Sequence, residues 1–259
     1  MSASEGSGSL RIGCVKYLNA RPLIHGWPGP VVFDHPATLC RMLAAGELDV
    51  AFVSSFEFLR HPVYSIVDGV AVGADGPVFS VFVAYCGAFE ELQEIALDPA
   101  SRTSVNLLRC LLAERRLQPR LIEEEAEVTR TRGRLLIGDQ AIKFRDDHGS
   151  EYEYFDLAAD WKRATALPFV FALWLIRPET EDASVVADQL RERCARNLAA
   201  LREVVAAQND FAPEFCERYF RRSLRFGFGD AEKQGLLRFR VLCEKHGLLP
   251  RNATPLRLI

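Results

Sequence analysis

Residues 10–23 read LRIGCVKYLNARPL. The first six are a short, largely apolar run with the composition of a strand, and Pro22 is placed to open a helix. Between the two, Lys16, Tyr17, Asn19 and Arg21 crowd four hydrogen-bonding side chains into six residues. In open α/β folds ligands bind just beyond the carboxyl ends of strands. The segment therefore predicts an α/β fold and one wall of a binding cleft.

Strand and helix patterns continue to alternate from there. Val31–Phe33 reads as a short strand, Pro36 opens a helix that Gly46 closes, and Asp49–Val53 reads as the next strand, with Ser54-Ser55 at the following helix cap. Tyr64–Val67 and Val70–Val72 read as short strands and Val78–Tyr85 as a longer one. A second run follows: a strand at Glu94–Leu97 broken by Pro99, a helix opened by Ser101-Arg102-Thr103-Ser104, a strand at Leu135–Ile137 ending in Gly138-Asp139, another at Tyr152–Phe155, and a short helix through Trp161. Phe169–Ile176 reads as a long buried strand. Beyond Pro178 the pattern is helical: Val186, Leu190, Cys194, Leu198, Leu201 and Val205 keep one face over about twenty residues, and Asp230 is expected to cap a last helix ending at Gly247. The expectation is an α/β chain of two lobes, 10–82 with 172–259 and an inserted 83–171, with crossovers near 78–85 and 169–176. Two lobes with two crossings form a hinged cleft suited to a small ligand.

Composition narrows the possibilities. Half of the chain is hydrophobic, 49% against 26% charged, which supplies a core and argues against disorder. The net charge of −3 supplies no basic field for nucleic acid or an anionic membrane. Seven cysteines include no C-x-x-C pair and read as buried thiols of a reducing compartment. The start, MSASEGSGSL, lacks the basic and apolar regions of a signal peptide and reads as a disordered leader over 1–9. The expected location is the cytoplasm, with no membrane partner. Oligomeric state is not legible.

The helix start at Ser101, Arg102, Thr103 and Ser104 combines N–H groups, hydroxyls and a guanidinium in a geometry suited to carboxylate or phosphate; ordinary capping is the competing reading. Ser54 and Ser55 stand at the equivalent point of the first lobe. Ser80 falls early in a crossing strand, and Asp139 at a strand end, where each could face a ligand or serve local structure. The five histidines are scattered, and there is no metal-binding, nucleophile-elbow, Walker or dinucleotide motif. From the residues alone the chain is a two-lobed binder of a small anion, a description that fits a sensor or carrier as well as an enzyme.

Six ordered blocks carry a more specific likeness: RIGCVKYLNARPL, ELDVAFVSSFEFLR, ADGPVFSVFV, ALDPASRTSVNLLRCLL, LLIGDQAI and LPFVFALWLIRP, followed by the tail YFRRSLRFGFGDAEKQGLLRF. Together they resemble the MqnA/MqnD family, and within it the chorismate dehydratases of the futalosine route to menaquinone. The resemblance implies a periplasmic-binding-protein-like fold of type II and conversion of chorismate to 3-[(1-carboxyvinyl)oxy]benzoate by loss of water, with no cofactor and no metal. It assigns functional roles to Asn19 and Ser80. It also implies ligand binding at the pair Thr103-Ser104, and a catalytic histidine in the sister lyases where this chain has Gly138-Asp139, a difference that favours the dehydratase branch. Lys16, Ala20 and Ala74 depart from the family's usual residues around the expected pocket.

Overall fold

The computed structural model describes residues 10–98, 101–124, 126–251 and 253–259. The expected leader and the strand break at Pro99 lie outside the described residues. In chain order the first part comprises β1 (Ile12–Val15), α1 (Arg21–Ile24), β2 (Val31–Asp34), α2 (Pro36–Ala45), β3 (Val50–Ser54), α3 (Ser55–Arg60) and β4 (Ser65–Ala74). Then come β5 (Val81–Tyr85), β6 (Glu94–Ala96), α4 (Arg102–Glu114), β7 (Arg120–Ile122), β8 (Arg132–Ile137), α5 (Gly138–His148), β9 (Glu153–Asp156) and α6 (Leu157–Thr165). The chain closes with β10 (Phe169–Ile176), α7 (Ala183–Ala199), α8 (Leu201–Ala206), α9 (Pro213–Arg218), a π turn at Tyr219–Ser223 and α10 (Asp230–Lys245).

The strands form two five-stranded mixed sheets, ordered β2-β1-β3-β10-β4 and β7-β6-β8-β5-β9. In each, the first three strands named run parallel and are followed by antiparallel partners; helices join β1 to β2, β2 to β3 and β6 to β7. Parallel strands covered on both faces read as unbroken apolar runs, and β1 and β3 are buried at every position. The chain passes between the sheets at 75–80 and again between Thr165 and Phe169. Trp161 of α6, Phe169 of β10 and Phe239 of α10 meet there edge-to-face, with centroids 5.0–6.1 Å apart, so aromatic packing ties one sheet's helices to the other's strands.

Several local expectations are corrected. The two short strands expected at 64–72 are one strand, β4, whose pairing with β10 is interrupted between Ile66 and Ala71. The strand expected from Val78 begins only at Val81, because Phe79 has a left-handed φ of 66° that no regular strand accommodates. The single helix expected over 186–205 divides at Ala200. The cap of α10 is Gly229, whose N–H donates to Glu232 Oε2 at 3.0 Å, and Asp230 is the first helical residue. Six of the seven cysteines are buried, whereas Cys86 is half-buried.

A second irregularity in the β4–β10 ladder shapes the interior. Val170 pairs with Gly73 and Ala172 with Val72, so Phe171 is a bulged extra residue. The bulge leaves Phe171 and Ala172, adjacent in sequence, both facing the space between the sheets. Gly73 permits it: a Cβ there would lie 2.5 Å from the carbonyl oxygen of Phe169. Gly73 also exchanges backbone hydrogen bonds with Arg225, N–H to O at 2.9 Å and the reverse at 2.8 Å. We expect Gly73→Ala to lower the urea unfolding midpoint by the equivalent of about 1–3 kcal/mol, the range for overpacking, with the slope of the transition unchanged.

Candidate functional site

The ends of β1, β3 and β8, the bulge of β10, and the starts of β5 and α4 converge on one cavity between the sheets. Its polar lining is Tyr17, Asn19, Ser54, Ser80, Ser101, Thr103 and Ser104; its apolar lining includes Val15, Val72, Val78, Ile137, Phe171 and Leu224. Among the described residues that line it there is no carboxylate, imidazole, amine or guanidinium. Tyr17 also borders a wider outer cleft, which holds Lys16, Arg21, His35, Asp98, Asp139 and Gln140. Tyr17 therefore stands between an uncharged chamber and a charged mouth.

The polar residues are fixed from several directions. Asn19 sits in a 3₁₀ turn, Leu18–Ala20, held at its start by Leu18 N–H donating to Asp139 Oδ1 at 2.8 Å. Its own Oδ1 is buried and, among the described residues, has no hydrogen-bond partner. A buried acceptor left unpaired carries a free-energy cost of about 1–3 kcal/mol, so an orphan facing a cavity is an observation that asks for a ligand donor. Ser80 follows the left-handed Phe79. The Val78 and Phe79 N–H groups both donate to Asp156 Oδ2 at 2.9 Å, while Asp156 Oδ1 caps α6 through Ala158 and Ala159 at 3.0 Å. Arg145 lies over the Phe79 ring at 4.7 Å. Ser80 Oγ accepts from the Tyr219 hydroxyl at 2.6 Å.

Across the cavity, Ser101 Oγ accepts from Ser104 N–H at 3.1 Å and donates to Ser104 Oγ at 2.8 Å, which is the capping reading of this segment. Thr103 reaches the other sheet: its Oγ1 is hydrogen-bonded to Ser54 Oγ and accepts from Phe56 N–H at 3.1 Å. Two expected residues lie elsewhere. Ser55 is wholly buried and donates to Val170 O at 2.7 Å, and Arg102 points away from the cavity to the buried carboxylate of Glu57 at 3.2 Å. Lys16 and Asp139 belong to the outer cleft, so the structure gathers Tyr17, Asn19, Ser54, Ser80, Ser101, Thr103 and Ser104 and separates the others. Sequence reasoning missed Tyr219, Phe171, Leu224 and Asp156. Only Asp156 carries a local signal, an acid where a strand meets a helix.

Where the resemblance places a histidine in the sister lyases, Gly138 has a φ of 59°, and a Cβ on it would sit 3.0 Å from the Tyr17 ring. The aromatic ring occupies the room a side chain at 138 would need. Among the described residues no group of three or more His, Cys, Asp or Glu could hold a metal ion, and no helix is long and apolar enough to cross a membrane.

Two lobes closed over a chamber at strand ends make this a protein of the periplasmic-binding-protein fold class. Solved structures bear the class out: a protein from Archaeoglobus fulgidus superimposes with a TM-score of 0.74 at 17% identity, covering 93% of this chain and 98% of that one. The periplasmic aliphatic sulphonate binding protein SsuA from Escherichia coli gives 0.58 at 13% identity, covering 93% and 94%. The chain belongs to the menaquinone biosynthesis family, whose model matches residues 10–245. A relative from Thermus thermophilus, a chorismate dehydratase, is 34% identical over 220 residues, 76% of this chain and 80% of that protein.

Burial raises the pKa of Asp139 above its ordinary 3.8, the Leu18 N–H opposing it. A carboxyl with a raised folded pKa favours the folded state when protonated and loses that contribution as pH rises through the folded value. Asn at 139 keeps an acceptor for Leu18 without the charge. We expect Asp139→Asn to unfold at an equal or higher temperature than wild type at pH 7, with the difference shrinking as pH falls toward 4.

Proposed function

We propose that the chain is a chorismate dehydratase of menaquinone biosynthesis, a carbon–oxygen lyase of the cytoplasm that forms 3-[(1-carboxyvinyl)oxy]benzoate from chorismate. In this reading the two sheets with their helices act as the two lobes, expected at 10–82 with 172–259 and at 83–171 but divided at the crossings 75–80 and 165–169. The observation that carries it is the pairing, in one cavity, of the unpartnered Asn19 Oδ1 with the Ser80 hydroxyl. The Thermus relative's activity and the family match support it.

The reaction breaks the ring C4–O bond and removes the C3 proton; the two leave as water and the ring becomes aromatic. Aromatisation supplies much of the driving force, so the protein's task is to hold one conformer and stabilise the departing hydroxyl. Ser80 donates to that oxygen or to the enolpyruvyl carboxylate, and Asn19 fixes the same end of the substrate. The α4 amino end, with Ser101, Thr103 and Ser104, receives the other carboxylate. Since the described lining offers no base, a carboxylate of the substrate itself takes the C3 proton and passes it to the departing hydroxyl, which leaves as water. Lys16 and Arg21 at the mouth draw the dianion in.

Purified protein incubated with chorismate is expected to yield a product lighter by one water, with the ultraviolet absorption of a substituted benzoate. Chorismate that binds unchanged would make the protein a sensor, and chorismate that does not bind would refute the reading altogether. Asn19→Ala and Ser80→Ala are each expected to lower kcat/KM by roughly 10²-fold or more, the scale for losing a positioned hydrogen-bonding group. Retention of most activity in either variant would remove its assigned role.

A further inference from the structure

Ser80 has a single hydroxyl hydrogen and two lone pairs. Among the described residues the one hydrogen-bonding partner of that hydroxyl is Tyr219, which acts as the donor, at 2.6 Å. With a lone pair engaged, the hydrogen of Ser80 is left to point into the cavity that Ser80 lines. Both groups are buried, Ser80 at 1% and Tyr219 at 2% exposure. Inside a dry site a donor hydrogen bond to a hydroxyl polarises it and makes it a better donor in turn.

The backbone around Tyr219 is arranged for this contact. Tyr219 opens a π turn, Tyr219–Ser223, closed by Leu224 N–H donating to Tyr219 O at 3.2 Å. Single π turns are rare and cluster at functional sites. This one follows α9, where Phe215 stacks on Tyr219 with centroids 5.6 Å apart, and precedes Arg225, which is bridged to Gly73. It thereby brings two residues to the cavity from opposite ends of the turn, Leu224 in its lining and Tyr219 behind Ser80. Burial pushes the Tyr219 phenol well above its ordinary pKa, so it remains a protonated donor.

We infer that Tyr219 is a positioning residue that sets Ser80 as a hydrogen-bond donor to the reacting substrate. Tyr219 touches no substrate atom; it acts through the direction and polarity of the Ser80 hydroxyl. Without it, Ser80 can rotate to offer a lone pair where the departing oxygen needs a hydrogen. The inference rests on the dehydratase reading above.

The test is a double-mutant cycle with chorismate as substrate: wild type, Tyr219→Phe, Ser80→Ala and the double variant, each with its thermal unfolding midpoint. Phenylalanine keeps the ring and its stacking on Phe215 and removes only the hydroxyl. The expected result is a kcat lowered roughly tenfold to a hundredfold, as for a supporting hydrogen bond to a transition-state donor, with KM within about threefold. In the Ser80→Ala background the same change is expected to cost nothing further. A Tyr219→Phe enzyme with wild-type kcat, or one whose loss is as large without Ser80 as with it, would overturn the inference while leaving the dehydratase reading intact. A loss that follows a lowered midpoint and appears equally in KM would also overturn it, assigning Tyr219 to packing. A wild-type protein that turns over no chorismate would overturn both.

Discussion

The two sheets share a hydroxyl. Thr103, first-turn residue of α4 in one sheet's layer, is hydrogen-bonded by Ser54 and by the Phe56 N–H from the other. Its oxygen is buried, and breaking the contact would leave buried polar groups unpaired at a cost of about 1–3 kcal/mol each. Three further contacts follow the same seam: Arg102 to Glu57, Asp139 to the Leu18 N–H, and Tyr219 to Ser80. Each polar side chain that lines the cavity belongs to one of these ties or stands next to one in sequence. The ties between the two sheets and the polar lining of the cavity are thus built from neighbouring residues of the same segments.

This explains why the fold was legible in the sequence to a greater degree than the site. Unbroken apolar runs such as Val50–Val53 and Phe169–Ile176 announce buried strands because burial on both faces leaves no room for polar residues. Pro36 bounds a helix because its ring suits the first turn and not the interior, and Gly46 because it takes the left-handed φ of 77° that ends the helix. The strand-end residues Tyr17, Asn19 and Ser54 were visible for a topological reason, as parallel strands deliver their carboxyl ends to a common edge. Arg102 misled for the opposite reason. Its guanidinium sits in the expected turn, but a helix rotates successive side chains by about 100°, and its face is the one that meets Glu57. Ser55 was displaced likewise, onto a strand carbonyl. Tyr219 and Phe171 were invisible because their roles come from a π turn and a bulge, irregularities that leave no period to read.

The cavity joins this seam to a chemistry with little equipment. Hydroxyls, one amide and a helix start can orient an anion and donate hydrogen bonds, but cannot shuttle a proton near neutrality. Tyr17, the lining's titrating group, is driven far from neutral pH by burial, with Asp98 and Asp139 adding to the effect. The charged residues stand outside, in the wider cleft, where screening by water tempers them.

The π turn also restricts how this part of the chain can vary. Arg221 and Arg222 within it are exposed, so their side chains are open to replacement. The number of residues is not: α9 fixes where the segment starts and the Arg225–Gly73 bridge where it ends. Deleting one residue between them would turn five residues per loop into four and rotate Tyr219 away from Ser80 or Leu224 out of the cavity. Segment length, then, is the constrained quantity here, and a one-residue gap at 219–223 would be more damaging than a substitution at its solvent-facing positions.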